Sequence, residues 1–352
     1  MDGLLLVDKP AGPTSHDVVA RMRRALREKR IGHTGTLDPL ATGLLPLVLG
    51  KATRLAQFLS ASDKSYDATI RLGFATDTAD AHGVPIGEVY AGAWPTLDAI
   101  EAALEAFRGT FMQRPPAFSA KKIDGRRSYA IARAARAGAG LKSRAAGESD
   151  LAASLARLEP PGPAGAAGGP TRSAPVSVTT HHLEVVSAGS DCVTLRVDCS
   201  AGFYIRSLAH DLGERLGIGA HLTALRRTRS GDFDVTRAIT LDAAERDPAL
   251  ATRSMVAMSG MLPGAPSVTL TGEGVRHVAH GRAVGPADWL PDHSRLRTRD
   301  PGLDDPQAES PAFAVPGPVA PLVRLLDPDG ELIALARAKG DSMLLHPFVV
   351  LV

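Results

Sequence analysis

The stretch YDATIRLGF, residues 66–74, alternates without a break. Tyr66, Ala68, Ile70, Leu72 and Phe74 fall on one side, and Asp67, Thr69 and Arg71 on the other. Successive side chains of an extended chain point to opposite faces, so this order suits a strand with one buried face. The sheet it implies has an apolar side, and Tyr66 points into it, where its hydroxyl needs a partner. CVTLRVDC, residues 192–199, repeats the pattern with Val193, Leu195 and Val197 inward. If the alternation continues, Tyr204 and Arg206 share the opposite face, unless a bulge at Gly202 breaks the phase.

Helical patterns are interspersed with these strands. GLLLV (3–7) reads as a short buried strand closed by Asp8-Lys9-Pro10 and the turn Ala11-Gly12-Pro13. Ser15 then reads as the N-cap of a helix whose Val18, Val19, Met22, Ala25 and Leu26 recur at helical spacing. Its other face carries Arg21, Arg23, Arg24, Arg27 and Lys29, which is either a solvated face or a phosphate-contacting patch. Residues 96–109 predict an amphipathic helix capped by Thr96, and residues 207–217 another capped by Ser207. Near the end, RLLDPDGELIAL (324–335) is strand, turn, strand.

The expected fold class is therefore α/β (α+β). A catalytic domain over residues 1–261 has a mixed, largely antiparallel sheet flanked by helices, and residues 262–352 form a small β-rich domain. Two stretches read as irregular. Residues 138–175 hold the low-complexity run PPGPAGAAGGP, which has too little apolar surface to offset the cost of ordering. Residues 285–320 hold seven prolines and read as a long surface loop.

Composition narrows the class further. A chain of 352 residues with a net charge of +2 is an ordinary globular composition with room for two domains. Cys192 and Cys199 form neither a CxxC nor a disulfide framework, which reads as a reducing compartment. No apolar stretch has membrane-spanning or signal-peptide character, so the expected location is cytoplasmic. There is no P-loop, no GxGxxG after a strand and no zinc motif, and His181 and His182 are adjacent rather than at ligand spacing. No cofactor and no metal are expected.

GHTGTLDPLATGLLP, residues 32–46, sets one carboxylate, Asp38, among turn formers. A generic Asp before Pro39 is a turn or cap residue. A paired carboxylate would suggest glycoside hydrolysis with water, but this segment offers one only. A lone carboxylate can serve as a nucleophile without metal or cofactor.

The block GHTGTLDPLATGLLPLVLGKATR (32–54) resembles the catalytic motif of the TruB-type tRNA pseudouridine synthases. In the same order come LLLVDKPAGPTSHDVV (4–19), DKSYDATIRLGFATDTADAHG (63–83), PPAFSAKKIDGRRSYAIAR (115–133), SAGFYIRSLAHDLGERLG (200–217) and GAHLTALRRTRSGDF (219–233). The resemblance covers about residues 3–245, while the C-terminal part is only weakly similar to the family's PUA-like RNA-binding domain.

The resemblance implies isomerisation of uridine to pseudouridine at position 55 of the tRNA T-loop, with Asp38 as nucleophile and Arg206 as its cationic partner. It implies that Tyr66 stacks on the target base and is the leading candidate for proton removal. Tyr204 and Leu225 would line the uracil pocket. His33 would stack on the RNA and help hold the target nucleotide flipped out. Lys9, of the family's Lys-Pro pair, would pack against the catalytic loop near phosphate. Basic clusters at Arg21–Arg30, Lys121–Arg127 and Arg226–Arg229 would line the path of the tRNA T-arm. A monomer without an obligate protein partner is expected. An RNA-folding protein, or a guide-dependent synthase acting on other RNAs, are the rival readings. Whether Asp38 attacks C1′ of the sugar or C6 of the base stays open.

Overall fold

The computed structural model describes residues 1–116, 122–123, 126–127, 174–291, 322–339 and 343–352. The low-complexity stretch as far as residue 173, residues 121, 124 and 125 of the Lys121–Arg127 cluster, and the Pro-rich run beyond residue 291 lie outside these. The chain forms two compact units, one of Met1–Ser62 with Thr228–Val352 and one of Asp63–Arg227.

In the first unit, strand Gly3–Lys9 pairs antiparallel with Thr42–Leu49, which also takes Ile31–His33, and pairs parallel with Ile239–Thr240. Leu4 to Val7 and Gly43 to Leu49 are buried throughout, so both faces of this sheet are covered and the sequence runs apolar rather than alternating. Helix Ser15–Leu26 buries Val18, Val19, Met22 and Leu26 as its spacing predicts. Its cap differs from expectation: Thr14, not Ser15, is the N-cap, in a capping box with Asp17. Ser15 is thereby released for the site described below. Arg21 pairs with Glu245 and Asp242, and Arg23 donates to the carbonyl of Ile31, so two of the three basic side chains on this helix hold the fold together.

The same unit carries a four-stranded sheet in the order Ser267–Thr269, Leu322–Leu326, Leu332–Ala338, Leu345–Val350. The expected hairpin is present. Asp327 N–H donates to Glu331 O, and Gly330, at φ +84°, closes the turn. Strand Leu332–Ala338 is buried on both faces. Leu332 and Leu335 join the core of Leu4, Leu6, Leu44 and Val48, while Ile333, Ala334 and Ala336 join a second core with Trp289. The expected surface loop therefore starts later than residue 285. Pro286–Asp288 forms a helical turn, and Trp289 bridges to Leu270 and is buried, because an indole offers more apolar area than its neighbours can leave wet.

The second unit is a sheet in the order Ala220–Ser230, Lys64–Leu72, Cys192–Cys199, Val176–Ala188, Gly109–Gln113; Ala220–Ser230 belongs to it as far as Arg227. The last four strands pair antiparallel. The alternation holds: Tyr66, Ala68, Ile70 and Leu72 are buried, as are Val193, Leu195 and Val197. Phe74 falls beyond the strand end, past Gly73 at φ +105°. Helix Leu97–Leu104 is capped by Thr96 as expected. His181 and His182 are exposed on their strand beside Asp63 and Glu184 respectively. The alternation does not reach Tyr204 and Arg206. Gly202 at φ +84° breaks it, and helix Ile205–Leu216 begins with Tyr204 as its N-cap, so Ser207 lies inside the helix rather than at its cap. The sheet arrangement, mixed and largely antiparallel with flanking helices and a β-rich C-terminal part, is the one expected. Among the described residues, no helix is long and apolar enough to cross a membrane.

Candidate active site

In the first unit the site is a turn held by a clasp. The segment between strands Ile31–His33 and Thr42–Leu49 contains Asp38-Pro39-Leu40-Ala41, closed by Ala41 N–H donating to Asp38 O at 3.1 Å. Pro39 in the second position presets the φ such a turn needs. Asp38 is thus a turn residue, half-buried, and the turn presents its carboxylate.

Residues 9–15 close around this turn. Lys9 is fully buried, and its ammonium donates to the carbonyls of Ala41 (2.7 Å), Pro10 (2.9 Å) and Pro39 (3.3 Å). An ammonium has three donors, and a buried one is tolerable only when they are satisfied. Gly12 N–H donates to the same Pro39 carbonyl at 2.8 Å. Ser15 Oγ accepts from Leu37 N–H at 2.8 Å and donates to Leu37 O at 3.1 Å, mimicking a strand partner. The motifs around Lys9-Pro10 and Asp38 are therefore two halves of one local structure. His33 stands at the end of its strand with its ring edge-on to His16, centroids 5.5 Å apart.

In the second unit, Tyr66 and Leu225 lie on neighbouring strands, Lys64–Leu72 and Ala220–Ser230, both 8 % exposed. Thr223 Oγ1 donates to Thr69 O at 3.0 Å across the same strand pair. Tyr204 and Arg206 stand together at the start of helix Ile205–Leu216. Gln113, 1 % exposed, pairs with both main-chain groups of Tyr204: Nε2 donates to Tyr204 O at 3.0 Å, and Oε1 accepts from Tyr204 N–H at 2.8 Å. Ser207 Oγ donates to Arg114 O at 2.8 Å.

Arg206 is 5 % exposed. A cation in the first turn of a helix opposes the helix dipole, so it needs local compensation. Thr78 O accepts from its Nη1 at 3.2 Å, and Asp80 Oδ2 lies 3.9 Å from the same nitrogen. Asp80 is in turn held by Thr78 Oγ1 (2.7 Å) and His82 N–H (3.0 Å) on its other oxygen. Lys64, two residues before Tyr66, is 6 % exposed; burial, reinforced by the Arg227 guanidinium, pushes its ammonium down to about 8.

Sequence reasoning singled out neither Asp80, Thr78, Gln113 nor Lys64, and it read Ser15 only as a helix cap. Asp80 and Thr78 sit in TDTADAHG, whose dense Thr and Asp content signals a side-chain-bonded turn. Gln113 gives no local signal.

Residues 23–145 match the description "TruB family pseudouridylate synthase (N terminal domain)", and residues 206–254 match "tRNA pseudouridylate synthase B C-terminal domain". The chain is 40 % identical to the tRNA pseudouridine synthase B of Solibacter usitatus over 80 % of its length and 85 % of that protein. It is 38 % identical to that of Geobacter sulfurreducens over 86 % of its length and 91 % of that protein. Among solved structures it is similar to an H/ACA ribonucleoprotein bound to a substrate RNA containing 2′-deoxyuridine: TM-score 0.65, 24 % identity, 99 % of this chain and 85 % of that one. A Cbf5-Nop10-Gar1 complex matches with TM-score 0.64 and 26 % identity, again over 99 % and 85 %. The fold is that of the pseudouridine synthases, and the chain belongs to the TruB family of these enzymes.

Proposed function

We propose that this enzyme isomerises uridine to pseudouridine at position 55 of the T-loop of tRNA. The observation that carries the reading is the Asp38 turn: a half-buried carboxylate whose turn is held after it by Lys9, at Pro39 and Ala41, and before it by Ser15, at Leu37, with relatives named as tRNA pseudouridine synthases. Pseudouridine formation breaks the bond between C1′ and N1 and makes one between C1′ and C5; the C5 hydrogen leaves as a proton, and the freed N1 gains one. A nucleophile that adds and later departs, and a base for that proton, are all the reaction requires. Asp38 is the proposed nucleophile and Tyr66 the proposed proton acceptor. Arg206 is the proposed partner that keeps the carboxylate ionised and aimed.

His33 is proposed to stack where the target nucleotide leaves the T-loop, since the base must be extruded to be reached. Tyr204 and Leu225 are proposed to line the uracil pocket. Residues 1–261 are proposed as the catalytic domain and 262–352 as an RNA-contacting domain. The enzyme is proposed to act on tRNA as a monomer, in the cytoplasm.

The test is tritium release from 5-tritiated uridine in a T-arm hairpin. The wild type is expected to release tritium, and Asp38→Asn is expected to bind the hairpin and release none. A wild type that binds and releases nothing overturns the reading, and an active Asp38→Asn overturns the role of Asp38.

A further inference from the structure

We infer that Thr78 is a positioning residue for Arg206, holding the guanidinium with its main chain and the opposing carboxylate with its side chain. The inference rests on the proposed role of Arg206 in the reaction. Thr78 O accepts from Arg206 Nη1, and Thr78 Oγ1 donates to Asp80 Oδ1, leaving Asp80 Oδ2 toward the guanidinium. The Arg206 and Asp80 side chains are 6 % and 9 % exposed, so water contributes little to holding either.

The residue between the two contacts explains how one short turn reaches both. Ala79 is left-handed, φ +59°, a conformation that crowds Cβ against the following carbonyl and that an alanine seldom adopts. It is locked there from both sides: Leu222 N–H donates to Ala79 O at 3.0 Å, and Ala81 N–H donates to Leu222 O at 2.9 Å. The reversal at Ala79 brings the carbonyl before it and the carboxylate after it to the same guanidinium. Thr78 Oγ1 then fixes the rotation of that carboxylate. His82 N–H shares Asp80 Oδ1 and remains when the hydroxyl is removed.

Thr78→Val keeps the shape and the main-chain carbonyl and removes one donor. It is expected to lower kcat for tritium release roughly tenfold or more, the scale found when a group that orients a reacting residue is lost. KM for the hairpin and the melting midpoint should stay at wild-type values. Thr78→Ser, which restores the donor, should recover kcat, and Thr78→Ala, which removes it without adding bulk, should match Thr78→Val. Wild-type kcat in both Thr78→Val and Thr78→Ala overturns the inference. So does an equal loss in Thr78→Ser, which would trace the effect to the methyl group. A wild type without activity overturns the functional reading, and this inference with it.

Discussion

The Asp38 turn is fixed by one short clasp, residues 9–15, acting almost wholly on main-chain groups, whereas the Arg206 helix start is fixed from separate segments, by the Thr78 carbonyl and the Asp80 carboxylate in one turn and the Gln113 amide on a distant strand. The difference has a physical basis. A turn can be pinned by its own carbonyls, because their positions follow from the backbone. A long, flexible guanidinium cannot, and it needs partners that meet its planar fork of donors. The first arrangement tolerates change in any side chain that does not reach the main chain. The second depends on each side chain in it.

The sharpest way to break this contrast is Lys9→Met. It removes the ammonium and leaves the carbonyls of Pro10, Pro39 and Ala41 without this donor, at an expected cost of about 2–4 kcal/mol in stability. Thermal or denaturant unfolding reads it directly. An unchanged midpoint would mean that the turn is held by its own closure.

A smaller effect is expected for Gln113→Ala, which strips both partners from the Tyr204 main chain and should cost about 1–3 kcal/mol of local stability. Hydrogen exchange at the start of helix Ile205–Leu216 should accelerate more than at strand Thr42–Leu49. Equal acceleration at both would erase the distinction.

The smallest effect concerns Lys64. Folded Lys64 loses its proton near 8, while the unfolded residue keeps it to about its ordinary value, 10.5. Between these pH values the unfolded state binds more protons, so this group's contribution to stability rises with pH across that window and is absent from Lys64→Met. A difference in unfolding free energy between wild type and Lys64→Met that stays constant from pH 7 to 10.5 would contradict the cause given for the lowered value.

What could be read in the sequence divides along the same line. Tyr66 was placed on a buried face by period alone, and the Asp38 turn by Pro39 and its neighbours. Ser15 misled because Thr14 and Ser15 are equally good caps; the deciding signal was Asp17, three residues after Thr14, which completes the capping box. An extended alternation puts Tyr204 and Arg206 on one strand face unless Gly202 breaks the phase, and the left-handed glycine does break it. Gln113 and Asp80 reach residues 91 and 126 positions away, and no local pattern records such a distance.

The core that joins Leu4 and Leu6 to Leu332, Leu335, Val349 and Leu351 has a consequence for synthesis. The strand that carries Leu4 and Leu6 is completed by strands far later in the chain. At about 5–20 residues per second, Leu4 and Leu6 wait roughly 20 to 70 s for these partners. During that interval the nascent chain carries an unfinished apolar strand, and its yield in a cell depends on what shields that strand until those residues are made.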